Sequence, residues 1–420
     1  MISRYYLKCP GCAEAFDARL GVEPTRGTRF YLPCPHCGLS IRGSMSGTEL
    51  ENHRIAIECE VLSDSAPESP PDRRVVTINP FVPSRYDADT FTPMGSFPTM
   101  TLLQALGDHA FAEFQSERHA ALEAGRDQWP AVRMLFQYYL QGNTAMFVRI
   151  AQQQLGLAWE PSTSHERTTV AYQAMGAVTT VITGTTGTTS ANVIGRFSRK
   201  HFAAMKRHKD HLATFRRRGQ SSAALERDVF TELNRFVEHH ESWEMGLLGR
   251  FFGPGGKDAF DDLVLYRDEF SMVRDLYQHG FELACKCLWP LVAAQNTVKR
   301  GSPDDFGADH PDRVPEKKRP RNLDKFDKLP NAFKIAYVAQ VPGWEPFESL
   351  LNNRRRNTIG HATAHHDLQT GRVVSDESPS GMTYLEFVGE VLGVFEALST
   401  LAQVLRASRV ASSPDFGPFE

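Results

Sequence analysis

Two short cysteine motifs place the tightest constraint on this chain. KCPGC and PCPHCG set Cys9 with Cys12, and Cys34 with Cys37, as two Cys-x-x-Cys pairs well separated along the chain. Two residues between thiols let one tight turn offer both sulfurs to a single ion, and two such turns complete a tetrahedron. Four thiolates suit Zn²⁺ in a closed structural site that keeps no coordination position open for catalysis. Both pairs carry Pro after the first Cys and follow aromatic runs, RYYL and RFYL, so unconnected buried cysteines are the weaker explanation. A segment this small rarely holds a fold by burial alone.

The pattern resembles a zinc ribbon, which implies a β module over residues 1–62 that contacts nucleic acid or a protein partner. Cys59, in the alternating run IAIECEVL, is expected to face the module interior, and Cys285 and Cys287, between Leu283 and Leu288, are expected in a helical core. Residues 63–100 hold seven prolines, whose missing amide donors and fixed φ point to a linker or a chain lying on the surface.

Beyond Thr101 apolar residues recur at three- and four-residue spacing, which predicts a helical region at 101–195, a helical domain at 196–410 and a short tail at 411–420. Trp129-Pro130 suits a helix start and GNT at 142–144 a tight turn. A DNA-reading pair of helices there is the weaker alternative, because the second carries only Arg149 for phosphate. Residues 301–330, rich in Pro, Asp and Lys, read as an exposed excursion, and its KKRPR as a solvated cluster. A hairpin is expected around LQTGRVV, then a last helix from Thr383 to Arg406. The fold class is therefore mainly α, a helical bundle with a small N-terminal β module.

Composition narrows function. A formal charge of −3 over 420 residues excludes a chain that binds nucleic acid along its whole length, so any such affinity needs a local patch. The N-terminus lacks the apolar run of a signal peptide, and a cytoplasmic protein without a membrane partner is expected. The uncharged stretch Thr168–Ile194 is too rich in Thr and Gly for lipid and reads as a buried segment or a Thr/Gly-rich loop. Its GTTGTTS lacks the Lys and the glycine spacing of a phosphate-binding loop.

One patch stands out. Residues 196–218 hold nine Arg or Lys against a single acid, Asp210. Phe197, Met205, Leu212 and Phe215 can form one apolar stripe, leaving Lys206, Arg207, Arg216, Arg217 and Arg218 as candidate RNA contacts on the opposite face. A solvated face balanced by acids elsewhere is the competing explanation. His208 and His211 lack the Cys or acidic neighbours a metal pair needs.

The second concentration of chemistry is NNRRRNTIGHATAHHD, with Arg354, Arg355, Arg356, Asn357, His361, His365 and His366. His361 and His365 have the four-residue spacing of a zinc helix, but no Glu stands between them and three arginines would repel a cation. Arginines near a helix C-terminus also suit a purely structural role. Anion chemistry is the remaining reading: Arg grips phosphate with a planar fork and keeps its proton, while His exchanges one near neutral pH. In a straight helix Asn357 and Arg354 share a face with His361, and Arg356 lies about 140° round.

Arg356-Asn357-x-x-x-His361, with its helical setting, resembles the signature of the HEPN superfamily of helical ribonucleases over roughly residues 196–410. The resemblance implies a HEPN-like bundle and a metal-independent endoribonuclease acting on RNA, with no cofactor for catalysis. Within it His361 handles the protons of 2′-hydroxyl attack, Arg356 stabilises charge on phosphate, Asn357 orients, and Arg354 and Arg355 add RNA contacts. It also implies a homodimer across the motif face and a place in toxin or phage-defence systems. The alternative is a non-catalytic HEPN-like module binding nucleotide, RNA or protein. A DNA-binding regulator built on the cysteine module is a third possibility.

Overall fold

The computed structural model describes residues 1–47, 49, 52–63, 74–84, 98–184, 188–221, 223–252, 263–360, 363–376 and 378–411. Much of the linker at 63–100, the tail beyond 411 and His361 lie outside them. The fold is mainly α with small β sheets. Seven strands come first: β1 (Ile2–Lys8), β2 (Ala15–Gly21), β3 (Thr25–Pro33), β4 (Ser40–Gly47), β5 (Arg54–Ile57), β6 (Glu60–Ser63) and β7 (Val75–Ile78). Helices follow: α1 (Pro98–Leu106), α2 (Asp108–Glu123), α3 (Trp129–Gln141), α4 (Thr144–Gln153), α5 (Ser164–Ile182), α6 (Thr188–Arg207), α7 (Lys209–Ser221) and α8 (Ala223–Glu238). After two 3₁₀ turns come α9 (Phe270–Lys286), α10 (Trp289–Arg300), α11 (Leu323–Asp327), α12 (Asn331–Ala339), α13 (Pro346–Leu350) and α14 (Asn353–Gly360). A meander of β8 (His365–Asp367), β9 (Arg372–Ser375) and β10 (Ser378–Thr383) leads into α15 (Tyr384–Ala411).

The chain divides into two compact units drawn from interleaved segments. The first gathers Met1–Ser116, Glu241–Asp275 and Asn357–Leu392, and the second Glu117–His240, Leu276–Arg356 and Gly393–Glu420.

In the first unit β1 and β2 form an antiparallel hairpin flanked by β6 and, in parallel with β2, by β7. A second sheet runs β3-β4-β5. Their alternating apolar residues close on a core of Leu7, Phe16, Leu20, Phe30, Leu32 and Ile78, joined by Tyr266. Cys59 is half-buried against this core, as expected, and burial pushes its thiol up to about 11. Arg267 is buried in the same unit at 1% exposure. It donates to Thr28 Oγ1 at 2.9 Å and to the Glu241 carbonyl, and lies 3.5 Å from Glu269 and 3.8 Å from Glu244. Glu269 in turn accepts from the Arg29 amide at 3.1 Å.

The second unit is a helical bundle. Helix α3 packs on α4 and α5, and α10 packs on α6, α7, α11 and α12. Trp129 and Pro130 open α3, Gly142 ends it in the left-handed region at φ 70°, and the Asn143 side chain caps α4 by accepting from the Met146 amide. Phe136 stacks on Phe230 at 4.4 Å, and the Glu226 carboxylate accepts from Tyr172 Oη at 2.7 Å. Thr168, Thr179 and Thr183 are buried along the stretch expected to be a buried segment or a loop, and Cys285 and Cys287 are core residues.

Three expectations change. The 63–100 segment is not all linker or surface chain, because its β7 pairs with β2 and Val76, Ile78, Phe81 and Val82 are buried. The 301–330 segment is anchored rather than free, because Phe306, Val314, Leu323 and Phe326 are buried along it. The basic segment is two helices, broken at His208 between α6 and α7. That break places His201 Nδ1 3.0 Å from His211 Nε2, and His211 Nδ1 2.8 Å from Thr297 Oγ1. The Thr297 hydroxyl donates to the Ala293 carbonyl at 2.9 Å, so it accepts from His211 Nδ1–H, and His211 Nε2 must then accept from His201 Nδ1–H. With one nitrogen donating and the other accepting, the His211 ring is neutral, while His201 is held neutral by its burial. Burial brings His201 to about 3 and His211 to about 4.

His366, in the first unit, is also held down to about 4 by burial. Unfolded histidines titrate near 6.5, so below that value the unfolded chain binds protons that the native rings refuse. Stability is therefore level above pH ~6.5 and falls as pH drops toward 4, by up to ~1.4 kcal/mol per pH unit per histidine. Urea midpoints should be clearly lower at pH 5 than at pH 7.5, and equal midpoints would contradict the neutral assignment. Arg267→Ala should cost ~3–5 kcal/mol in the denaturation of the first unit by removing the cation that faces two buried carboxylates. A wild-type midpoint would refute that role.

Candidate functional site

The two cysteine pairs sit at the turns of two hairpins. Cys9 and Cys12 lie between β1 and β2, and Cys34 and Cys37 between β3 and β4. The turns repeat one geometry. The Cys9 amide donates to the Glu14 carbonyl at 2.9 Å and the Cys34 amide to the Leu39 carbonyl at 2.8 Å. Ala13 and Gly38 donate back to Cys9 and Cys34 at 3.0 and 2.9 Å. Each follows the second cysteine of its pair in a left-handed conformation, at φ 63° for Ala13 and 77° for Gly38. Glycine adopts that conformation freely, whereas Ala13 holds it at a steric cost.

The four sulfurs lie within 4.8 Å of one another and could hold one metal ion. Cys9 and Cys37 are 3.7 Å apart, and Cys12 and Cys34 3.8 Å. A tetrahedron with metal–sulfur bonds of ~2.3 Å has edges of ~3.8 Å, so the donor set fits Zn²⁺. The Gly11 amide also donates to Cys9 Sγ at 3.3 Å. Burial opposes ionisation of Cys9, but amides of Cys12 and Gly11 and the thiols of Cys34 and Cys37 bring it to about 7. Burial pushes Cys34 up to about 12. One thiolate thus forms readily and four do not, unless a cation balances them.

Helix α14 carries the arginine run. Asn352 begins it, its side chain accepting from the Arg355 amide at 3.1 Å and its carbonyl from the Arg356 amide at 2.9 Å. In the second unit Arg356 Nη2 pairs with Glu282 Oε1 of α9, while Glu282 Oε2 accepts from Asn331 at 2.7 Å. One carboxylate therefore fixes the guanidinium and is itself fixed by α12. The Arg356 side chain keeps 31% exposure. Arg354 and Asn357 are exposed and Arg355 is half-buried.

The helix ends at Gly360, and His365 stands in strand β8 with Nδ1 3.0 Å from the Thr363 carbonyl. Position 365 is therefore not one turn further along the helix, and the zinc-helix spacing loses its geometry. His366 is half-buried, stacked on Tyr384 at 4.5 Å.

The basic patch divides. Lys206, Arg207, Arg216 and Arg217 are exposed. Arg218 is not a surface cation: it bridges Asp324 at 2.5 Å and Asp327 at 2.7 Å and lies 5.0 Å over the Trp289 ring. Its 12% exposure places it in the packing of α7. Phe197, Met205 and Phe215 are buried as expected. No known protein family, curated protein or solved structure matches this chain.

Glu282 is the site residue that sequence reasoning missed. It lies far ahead of Arg356 in the chain and carries no motif, and its only signal was an acid on an otherwise apolar helical stretch. For the thiols, the chain is expected to carry one equivalent of zinc by elemental analysis. A Cys9→Ser/Cys34→Ser variant should lose it, and unchanged stoichiometry would remove the four-thiol site.

Proposed function

We propose that the chain is a metal-independent endoribonuclease that cleaves RNA by attack of the ribose 2′-hydroxyl, with a zinc-ribbon module recognising nucleic acid or a protein partner. The observation that carries this reading is the anchoring of Arg356 by Glu282 in the middle of a polar helix, directly before Asn357 in the chain and shortly before His361. A guanidinium held by a carboxylate is oriented before substrate arrives, which favours charge stabilisation on a phosphate over loose attraction. This supports Arg356 as the phosphate-facing arginine, with the exposed Arg354 as an outer contact.

The chemistry is internal to the RNA. His361 accepts the 2′-hydroxyl proton, or donates one to the departing 5′-oxygen, and the 2′-oxygen attacks phosphorus to leave a 2′,3′-cyclic phosphate. One imidazole cannot act as base and acid in the same step, so a homodimer presenting two copies of His361 meets the need. Lys206, Arg207, Arg216 and Arg217 add a salt-sensitive surface for the strand. Such an enzyme acts in the cytoplasm, where cleavage of RNA arrests growth, as in toxin or phage-defence systems.

A second reading keeps the same residues without catalysis. The Arg356–Glu282 pair would serve packing, and the module would bind nucleotide, RNA or protein.

Labelled RNA incubated in excess EDTA separates the two. Wild-type protein should yield fragments ending in cyclic phosphate, and His361→Ala should lose at least ~100-fold in rate, the scale of a general acid or base, while retaining RNA affinity. Fragments formed equally by His361→Ala would sink the enzyme reading.

A further inference from the structure

The second unit contains a cleft that the proposed nuclease chemistry does not use. It measures about 360 Å³ and opens to solvent between α10, the 301–310 segment and α12. Lys299, Arg300, His310 and Asp309 stand on its polar side with the amides of Gln295 and Asn296, while Tyr337, Phe306 and Val341 supply an apolar wall. The volume lies at the small end of the range for small-molecule sites, ~300–1,000 Å³, which suits a compact ligand rather than a polymer.

The polar groups are held in place. Arg300 donates through Nε to the Asp305 carbonyl at 2.6 Å and through Nη2 to Asn296 Oδ1, whose amide nitrogen donates to the Pro303 carbonyl at 3.0 Å. His310 Nδ1 lies 2.7 Å from Tyr337 Oη. Lys200 donates to Gln295 Oε1 at 2.7 Å and sits 4.5 Å over the Trp344 ring, which fixes the Gln295 amide at the cleft.

Cations crowd this region. Burial, Arg196 and Lys299 all bring the Lys200 ammonium below its ordinary value, against which Glu345 acts in the other direction. Burial, Arg319 and Arg300 act likewise on the His310 imidazole, with Asp309 opposing. Asp305 and Asp309 lie 3.9 and 3.7 Å from Arg300 and offset part of its charge, while Lys299 at the rim and Lys200 behind Gln295 supply the remaining positive charge. A half-open cleft lined by Lys299 and Arg300 against Asp309 alone, with fixed amides and one aromatic wall, favours a phosphoryl group attached to a ring.

The geometry points to a binding site for a small organic phosphate in this cleft, with the phosphoryl group at Lys299, His310 and the Gln295 amide and the ring against Tyr337 and Val341. The site is independent of Arg356 and of RNA cleavage. It would let a phosphorylated metabolite stabilise the second unit by binding its folded state.

Calorimetric titration of the full chain with AMP, adenosine and inorganic pyrophosphate tests the assignment. AMP should saturate one site, adenosine should not bind, and pyrophosphate should bind more weakly than AMP. Lys299→Glu should weaken AMP by at least ~10-fold, since a charge-assisted hydrogen bond is lost and repulsion gained. Asp309→Asn, at an exposed position, should tighten it by a few-fold. Opposite signs in two folded variants would exclude a general loss of structure. Adenosine binding as tightly as AMP would overturn the proposal, as would unaltered AMP affinity in Lys299→Glu or no saturation with either phosphate. Pyrophosphate matching AMP would overturn the ring contact.

Discussion

A single buried guanidinium organises the first unit. Arg267 meets the β3 strand at Thr28, the Glu241 carbonyl and the Glu244 and Glu269 carboxylates, drawing together segments that are distant in the chain. Burying such a charge is unfavourable unless acceptors and opposite charges surround it, so removing one member leaves the others poorly compensated. It therefore acts as a register pin. The β module has its own apolar core, and Arg267 with the Phe30–Arg267 bridge joins it to the 264–269 segment within this unit.

The second unit solves the converse problem by burying histidines without charge. His201, His211 and Thr297 form a one-way chain of donors that ends on the Ala293 carbonyl, tying α6 and α7 to α10. The same packing takes Arg218 out of the basic surface and sets it between two aspartates and Trp289. The exposed cations that remain on α6 and α7 are fewer than the raw charge count suggests. What is left is a narrower basic face, a better basis for local phosphate contact than for general polyanion binding.

Much of the local structure was legible in the sequence because it depends on neighbours in the chain. The Cys-Pro-x-Cys turns, the Pro and Gly punctuation around α3 and α4, the hairpin at β8–β9 and the long last helix all follow from spacing, turn chemistry and capping. The core places of Cys285 and Cys287 followed from helical periodicity. The break at His208 did not, since the apolar stripe of Phe197, Met205 and Phe215 runs across it with helical spacing. Nor did the anchoring of 301–330, where composition signals a loop while widely spaced Phe306, Val314 and Phe326 fasten it.

For the candidate sites the same division holds. Four cysteines at fixed spacing determined by themselves that two turns could each offer a pair of thiols, because the geometry within each pair is local. Only the tertiary structure decided that the two turns meet with their sulfurs at tetrahedral spacing. The sequence likewise determined a run of arginines before Asn357, but straight helical periodicity pointed to Arg354. Tertiary structure placed Glu282, from a helix remote in the chain, against Arg356. A carboxylate's pull on a guanidinium acts through space, so no pattern along the chain could have disclosed it.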